Sequence, residues 1–402
     1  MDCIEKVSPV QTGTPVIPEN FEGRKEIIKE CTLGLRQAIE GNAQHFFITG
    51  KRGMGKTSLA TYLNEIAKKR YKMIGVHVFN DGVHTTEQLI IQIIERILNE
   101  IECETWSNKI YKKFRDNIES AGLFGVSIKF KPKDENLIDN VKDNFASFLV
   151  DLVNNFEDKS GIFIIIDDIN GLTENPEFAN WYKSFADDLA TNYRNKSPIA
   201  FMLTGYPEKI ESLYNHQPSV NRIFKHKYLS PLHNNEIKDF YIKIFDRLAI
   251  EIQEDALNSM IYYSSGLPTM MQEIGEGIFW INDDKIITKD TALLGIIRAG
   301  KEIGLKYLKP VLDSSIRSDK YLSIFNKLGS YFLKHSGDDY SFRKKDFTAN
   351  LNENENKVFS DFLIKARKLG IIEFTGAKKS GQYKFTNNLY GLYFAIISLN
   401  TT

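Results

Sequence analysis

The sequence predicts an α/β fold: a parallel sheet covered by helices on both faces, then a helical region, then a winged-helix module. Three observations carry that expectation. Short, continuous apolar runs alternate with helix-period stretches through the first half of the chain, the pattern of strands buried on both faces. A glycine-rich loop separates the first such run from the helix that follows it. Beyond Ser230 the strand-like runs stop, and two short strands around a polar loop reappear only near the end.

Taken in order, residues 1–20, with Pro9, Pro15 and Pro18, read as an extended arm, and residues 21–229 as the sheet-bearing core. Ile27, Ile28, Leu33, Leu35 and Ile39 share the spacing of a helix over Arg24–Ile39. His45–Thr49 is a short apolar strand, and a helix follows from Lys56 to Lys69. Met73–Phe79 is a second strand, followed after Asp81-Gly82 by the helical stretch Thr86–Ile101. Residues 103–145 read as an insert in which Val126, Ile128 and Phe130 alternate like a strand. Phe145–Phe156 is helical, Ile162–Ile166 is a continuous apolar strand, and Phe178–Tyr193 is a helix. Ile199–Leu203 and Ile223–Leu229 complete a five-stranded set. Residues 230–300 read as a wholly helical lid. Residues 301–402 read as the winged helix: Asn356–Leu369 is its third helix, and the strands Ile371–Thr375 and Gln382–Thr386 flank a wing at 376–381.

A chain of 402 residues exceeds one compact core and predicts two or three domains. Its 52 Lys and Arg balance 52 Asp and Glu, which excludes a globally basic nucleic-acid binder. The balance is uneven, however: from Lys301 onward there are 17 basic against 10 acidic residues, and before it 35 against 42. Cys3, Cys31 and Cys103 are far apart and form no CxxC pair, so neither a disulfide framework nor a zinc site is expected. The first residues lack the basic-then-apolar order of a signal peptide. The longest apolar run, Leu389–Leu399, is far short of the roughly 20 residues a membrane span needs. A cytoplasmic protein without a membrane partner is expected.

Gly50-Lys51-Arg52-Gly53-Met54-Gly55-Lys56-Thr57 fits G-x-x-x-x-G-K-[ST] at every fixed position and sits between a strand and a helix. Chemistry demands this composition. A backbone that wraps a phosphate with its N–H groups turned inward uses conformations a side chain obstructs, and the helix after it presents its positive end. Lys56 would contact the β/γ-phosphates of ATP, the Thr57 hydroxyl would hold Mg²⁺, and Ser58 continues the binding segment.

Ile162–Ile166 ends in Asp167-Asp168. An apolar strand ending in carboxylates places them at the ligand crevice, where Asp167 would complete the Mg²⁺ shell and Asp168 would activate water. Capping of the next helix is the other reading of Asp168. Thr204, at the end of another strand, is a candidate to sense the γ-phosphate, or simply a strand-ending Thr before a glycine turn. Arg222 is either a finger toward a phosphate in a neighbouring subunit or an exposed strand-edge residue.

With these residues the chain resembles the STAND-type ATPases, signal-transducing relatives of the AAA+ group, and especially the branch that includes the archaeal-type ATPases. The resemblance covers Phe21 to Tyr393. Phe21-Glu22-Gly23-Arg24 is similar to the family's hydrophobic-x-Gly-Arg motif, which implies a place for Arg24 beside the adenine. Gly50–Thr57 and Ile162–Asp168 resemble its two Walker motifs, Leu229-Ser230-Pro231-Leu232 its link into the lid, and Gly266-Leu267-Pro268 its Gly-x-Pro motif. That last likeness implies a place for Pro268 near the nucleotide. Tyr383–Tyr390 is similar to the closing segment of the winged helix in archaeal-type ATPases. Many relatives carry Asp-Glu where this chain has Asp167-Asp168, which implies slow or partner-dependent hydrolysis.

The resemblance implies a nucleotide switch that forms a homo-oligomer or controls an effector protein, in signalling or defence. A DNA-binding ATPase similar to replication-origin initiators, acting through the basic C-terminal module, is the alternative. Gly266-Leu267-Pro268 in place of a Gly-x-x-Arg sensor, and the neutral net charge, speak against it. A small-molecule kinase with the same loop leaves the lid and the winged module without a role.

Overall fold

A computed structural model of the chain describes residues 7–80, 82–103, 141–154, 156, 158–335, 340–375 and 381–399. The expected insert at 103–145 lies mostly outside the described residues, and so do 376–380 of the expected wing. The chain divides into two compact units, Pro15–Ser230 and Pro231–Thr402 together with Met1–Thr14.

The first unit is built on five parallel strands: β1 (Gln44–Thr49), β2 (Ile74–Phe79), β3 (Ile162–Asp167), β4 (Ile199–Gly205) and β5 (Lys225–Tyr228). Their order in the sheet is β2-β3-β4-β1-β5. Helices α1 (Lys25–Ile39), α2 (Lys56–Tyr71), α3 (Thr86–Cys103), α4 (Phe145–Asn154), α5 (Pro176–Thr191) and α6 (Pro207–His216) connect them. Every residue of β3 and β4 is buried, as their unbroken apolar sequences require of central parallel strands. The fifth strand is shorter than expected because its Lys-His-Lys-Tyr sequence suits an exposed edge.

Register decides what the C-terminal strand ends bring together. Thr49 stands opposite Gly205 and Ile48 opposite Thr204, while Leu203 stands opposite Ile166. The loop after β1 and the carboxylates after β3 therefore flank the end of β4. On the other side of β3, Phe79 stands opposite Asp167 and His77 opposite Ile165.

The second unit contains α7 (Asn234–Asp246), β6 (Glu251–Ile252), α8 (Glu254–Ser264), α9 (Pro268–Ile281), β7 (Ile286–Ile287) and α10 (Lys289–Ile303). A single π-helical turn, Gly304–Leu308, leads into α11 (Lys309–Ser315) and α12 (Asp319–Lys334). Then come β8 (Ser341–Arg343), α13 (Lys344–Phe347), α14 (Glu353–Lys368), β9 (Ile372–Phe374), β10 (Gln382–Phe385) and α15 (Asn388–Leu399). The region from 230 to 300 is not wholly helical: β6 and β7 form a parallel pair. Two-residue strands carry no period, so the sequence gives no sign of them.

Two expected strands near the end become three. β10 is central, antiparallel to both β8 and β9, and β8 is too short to announce itself. Helix α14 starts three residues before the expected Asn356, because Asn352 and Glu355 form a reciprocal capping box with bonds of 2.9 and 2.8 Å.

Two apolar cores organise this unit. One gathers α7–α10 around Tyr241, Ile274 and Ile296; the other gathers α12, α14 and the three-stranded sheet around Phe325, Phe347 and Phe362. Leu389 of α15 enters the first and Phe394 the second. The N-terminal arm also belongs here. Val10 is buried in the first core, the Gln272 amide donates to the Gln11 carbonyl (3.0 Å), and the Thr12 hydroxyl donates to Glu276 (2.7 Å).

Candidate nucleotide-binding site

The loop from Gly50 to Gly55 turns between β1 and α2. A Cβ at Gly50 would lie 3.1 Å from that of Leu229 and 3.3 Å from that of Met54. Gly53 and Gly55 adopt φ of 81° and 80°, the left-handed region that excludes most side chains. Met54 is buried beneath the loop, and Arg24 Nη2 donates to its carbonyl (3.4 Å). Arg24 is thus brought to the loop, itself buried and at a φ of 60°. Lys51 and Arg52 are exposed.

Lys56 opens α2, and its ammonium donates to the carbonyls of Gly50 (2.9 Å) and Lys51 (3.3 Å). It also lies 4.7 Å from the ring centre of Tyr206, a cation–π distance. Burial pulls the Lys56 pKa below its ordinary value, and the charges of Asp168 and Asp167 oppose that shift. Ser58 accepts from the Val16 backbone N–H (3.1 Å), and Phe21 stacks on Tyr62 at 4.7 Å. These contacts lay the segment before Arg24 along α2.

Asp167, 2 % exposed, is the centre of the acidic half. The Thr204 hydroxyl donates to its Oδ1, His77 Nε2 stands 3.3 Å from Oδ2, and the nearby Thr57 hydroxyl also favours its charged form. Burial alone would raise the Asp167 pKa. His77, Thr204 and Thr57 outweigh it, so the pKa is lowered and the group is an anion. Asp168 is exposed at a φ of 61° and ψ of 60°. Its peptide is tied on both sides: its N–H donates to Thr204 Oγ1 (3.0 Å), and its carbonyl accepts from Asn80 Nδ2 (3.3 Å). Asp168 precedes the 3₁₀ turn Ile169–Glu174 without a side-chain capping bond, so the capping reading of this residue does not hold.

The structure therefore gathers Arg24, the Gly50–Ser58 segment, Asp167, Asp168 and Thr204 at one end of the sheet. Pro268 belongs to the other unit, as the first residue of α9. There the two lid signatures meet: Leu232 N–H donates to the Gly266 carbonyl (2.8 Å), and a Cβ at Gly266 would lie 2.7 Å from that of Pro231. Arg222 is exposed but lies in no strand; it ends the 3₁₀ turn Pro218–Arg222, because Pro218 starts a turn that the apolar stretch behind it concealed. The sequence carries little sign of His77, Asn80, Tyr206 or Asn170, whose Oδ1 accepts from the Tyr206 N–H (3.0 Å). The one available signal was a histidine two residues before the end of an otherwise apolar strand.

The residues present fit a Mg²⁺-bound nucleotide. A neutral hydroxyl and a carboxylate, Thr57 and Asp167, lie near one another, and hard oxygen donors are the ligands Mg²⁺ prefers. The lysine and the glycine-shaped backbone beside them suit phosphate.

No family model matches the chain, and no curated protein matches it. Solved structures do. The Walker-type ATPase of Pyrococcus abyssi is 13 % identical with a TM-score of 0.52, over 96 % of this chain and 98 % of that one. The ORC2 protein of Aeropyrum pernix, solved as ADPNP–ADP complexes, is also 13 % identical with a TM-score of 0.55, over 94 % of this chain and 93 % of that one. At that identity the likeness is one of architecture, and the architecture of this chain is that of the P-loop ATPases.

Proposed function

We propose that the chain is an AAA+-related, STAND-like nucleotide switch: it binds ATP with Mg²⁺, hydrolyses it slowly, and controls its own assembly or a partner protein. The observation that carries this reading is the convergence of Thr57, Thr204 and His77 on the buried carboxylate of Asp167, beside a complete phosphate-binding loop. In it, Lys56 and the loop backbone hold the β/γ-phosphates, and Arg24 lies toward the adenine. Thr57 and Asp167 hold Mg²⁺, which neutralises phosphate charge. Asp168 orients the attacking water. An aspartate reaches one methylene less far than a glutamate, which supports slow turnover. Thr204, bonded to both Asp167 and the Asp168 peptide, couples the metal ligand to the water-orienting residue.

A second reading has one observation in its favour: the helices of the second unit and its three-stranded sheet have the make-up of a winged helix, and a DNA-binding initiator-like ATPase would use it. Several of its basic residues are engaged internally. Arg367 stacks over Phe374 at 3.7 Å, Lys384 pairs with Glu373 at 3.5 Å, and Lys327 with Glu355 at 2.6 Å. Lys357 and Lys368 on α14 are exposed and are the residues that would meet phosphates.

The test is ATP hydrolysis and solution size, measured on wild type, Lys56→Ala and Asp168→Ala, with and without duplex DNA. Lys56→Ala removes a charge-assisted phosphate contact and is expected to weaken ATP binding at least tenfold. An ATP-dependent size change lost in Lys56→Ala and indifferent to DNA supports the switch. DNA-stimulated turnover with steeply salt-dependent binding supports the initiator-like reading. Equal ATP binding by wild type and Lys56→Ala refutes both.

A further inference from the structure

We propose that His77 is the positioning residue that aims the Asp167 carboxylate at the metal, an inference that rests on the ATP–Mg²⁺ reading above. His77 and Asp167 lie on neighbouring parallel strands, with His77 opposite Ile165, two residues before Asp167. Side chains two apart on a strand share a face, so the imidazole reaches diagonally to Oδ2, at 3.3 Å. An ionised carboxylate only accepts, so the ring nitrogen at that contact carries the proton and donates. The ring is held in turn by stacking on Phe79, with centroids 4.4 Å apart and planes 21° from parallel.

The two groups that bond Asp167 come from two strands, Thr204 from β4 and His77 from β2, and the Thr57 hydroxyl of α2 lies near the same carboxylate. Thr204 engages Oδ1 and His77 engages Oδ2. Donors on both oxygens lock rotation about the Cβ–Cγ bond, and each oxygen keeps lone-pair capacity for the metal shell. That lock matters because Mg²⁺ demands near-octahedral ligand placement, so a carboxylate free to rotate is a poorer partner. His77 thus acts through Asp167 and need not touch nucleotide.

The experiment measures binding of ADP and of a non-hydrolysable ATP analogue, by calorimetry, across a Mg²⁺ titration and in EDTA. His77→Phe keeps an aromatic ring to stack on Phe79 and deletes the donor. The half-saturating Mg²⁺ concentration is expected to rise about 10- to 100-fold, the range typical of lost partners of metal ligands. Binding in EDTA should stay within about twofold of wild type. His77→Gln, whose amide N–H occupies a place similar to Nε2, should recover most of the loss. An unchanged Mg²⁺ midpoint in His77→Phe, with wild type Mg²⁺-dependent, overturns this role alone. Equal losses with and without Mg²⁺ mean a general structural role and overturn it too. Nucleotide binding by wild type that ignores Mg²⁺ overturns the underlying reading and this inference with it.

Discussion

Replacing Thr204 with valine removes one hydroxyl and almost no volume, yet that hydroxyl joins two elements of the site. It donates to a carboxylate that is 2 % exposed and accepts the backbone N–H of Asp168, a residue at a φ of 61°. A hydrogen bond to a charged group is worth about 1.5–3 kcal/mol, and a buried donor left unsatisfied costs about 1–3 kcal/mol. The Asp167 carboxylate keeps Thr57 and His77, and Asp168 is exposed enough for water to reach its peptide, so the lower ends apply. The expected loss is about 2–4 kcal/mol. It should appear as a lower urea midpoint at unchanged slope, with hydrogen exchange of β3 and β4 peptides assigning it to the first unit. Thr204→Ser keeps both bonds and should lose about 1 kcal/mol, the value of one buried methyl group. Less than about 0.5 kcal/mol for Thr204→Val would refute the reasoning, because the hydroxyl would then be dispensable to both partners.

Burial holds the His45 pKa down at about 4 from an ordinary 6.5, with its Nδ1 2.9 Å from the Tyr182 hydroxyl. Between those values the unfolded chain binds a proton that the folded chain refuses, so stability falls as pH drops from 6.5 to about 4, by about 3 kcal/mol in all. His45→Phe should flatten that slope in urea titrations run across the interval; an unchanged slope places the acid sensitivity elsewhere. Gly266→Ala meets both a φ of 73° and a Cβ 2.7 Å from that of Pro231. It should lower the stability of the second unit by at least about 2 kcal/mol. Gly13→Ala, at a φ of 77° in open space, should cost about 1 kcal/mol or less; equal thermal shifts for the two would show that the Pro231 contact contributes nothing.

The sheet and its loop were legible because they are written locally. β1, β3 and β4 are unbroken apolar runs, and the cradle is a contiguous octapeptide whose spacing has one chemical use. Lateral order is a different matter. That Asp167 meets His77 depends on which strand lies beside β3, and the two residues are 90 apart in sequence. Pairings of that kind come from long-range packing and leave no periodic trace. Short elements failed for the opposite reason: β6, β7 and β8 contain too few residues to show alternation at all. An apolar stretch hides the proline-started turn that ends at Arg222, and the capping box of α14 precedes the apolar stripe that announces the helix.

Val10 and Leu389 sit in one hydrophobic core, while everything from Pro15 to Ser230 belongs to another body. During synthesis the intervening unit has all its residues as soon as Ser230 is made, and can fold as a unit on its own. The second unit cannot: the Gln11 carbonyl and the Thr12 hydroxyl must wait for Gln272 and Glu276 of α9, 261 and 264 positions further along the chain. The Pro15–Ser230 body is therefore the one expected to be finished first on the ribosome, with the arm left undocked until α9 emerges. A nascent chain halted far enough beyond Ser230 for this unit to have left the ribosome, but before α9 has emerged, should bind nucleotide while its arm is still open to protease.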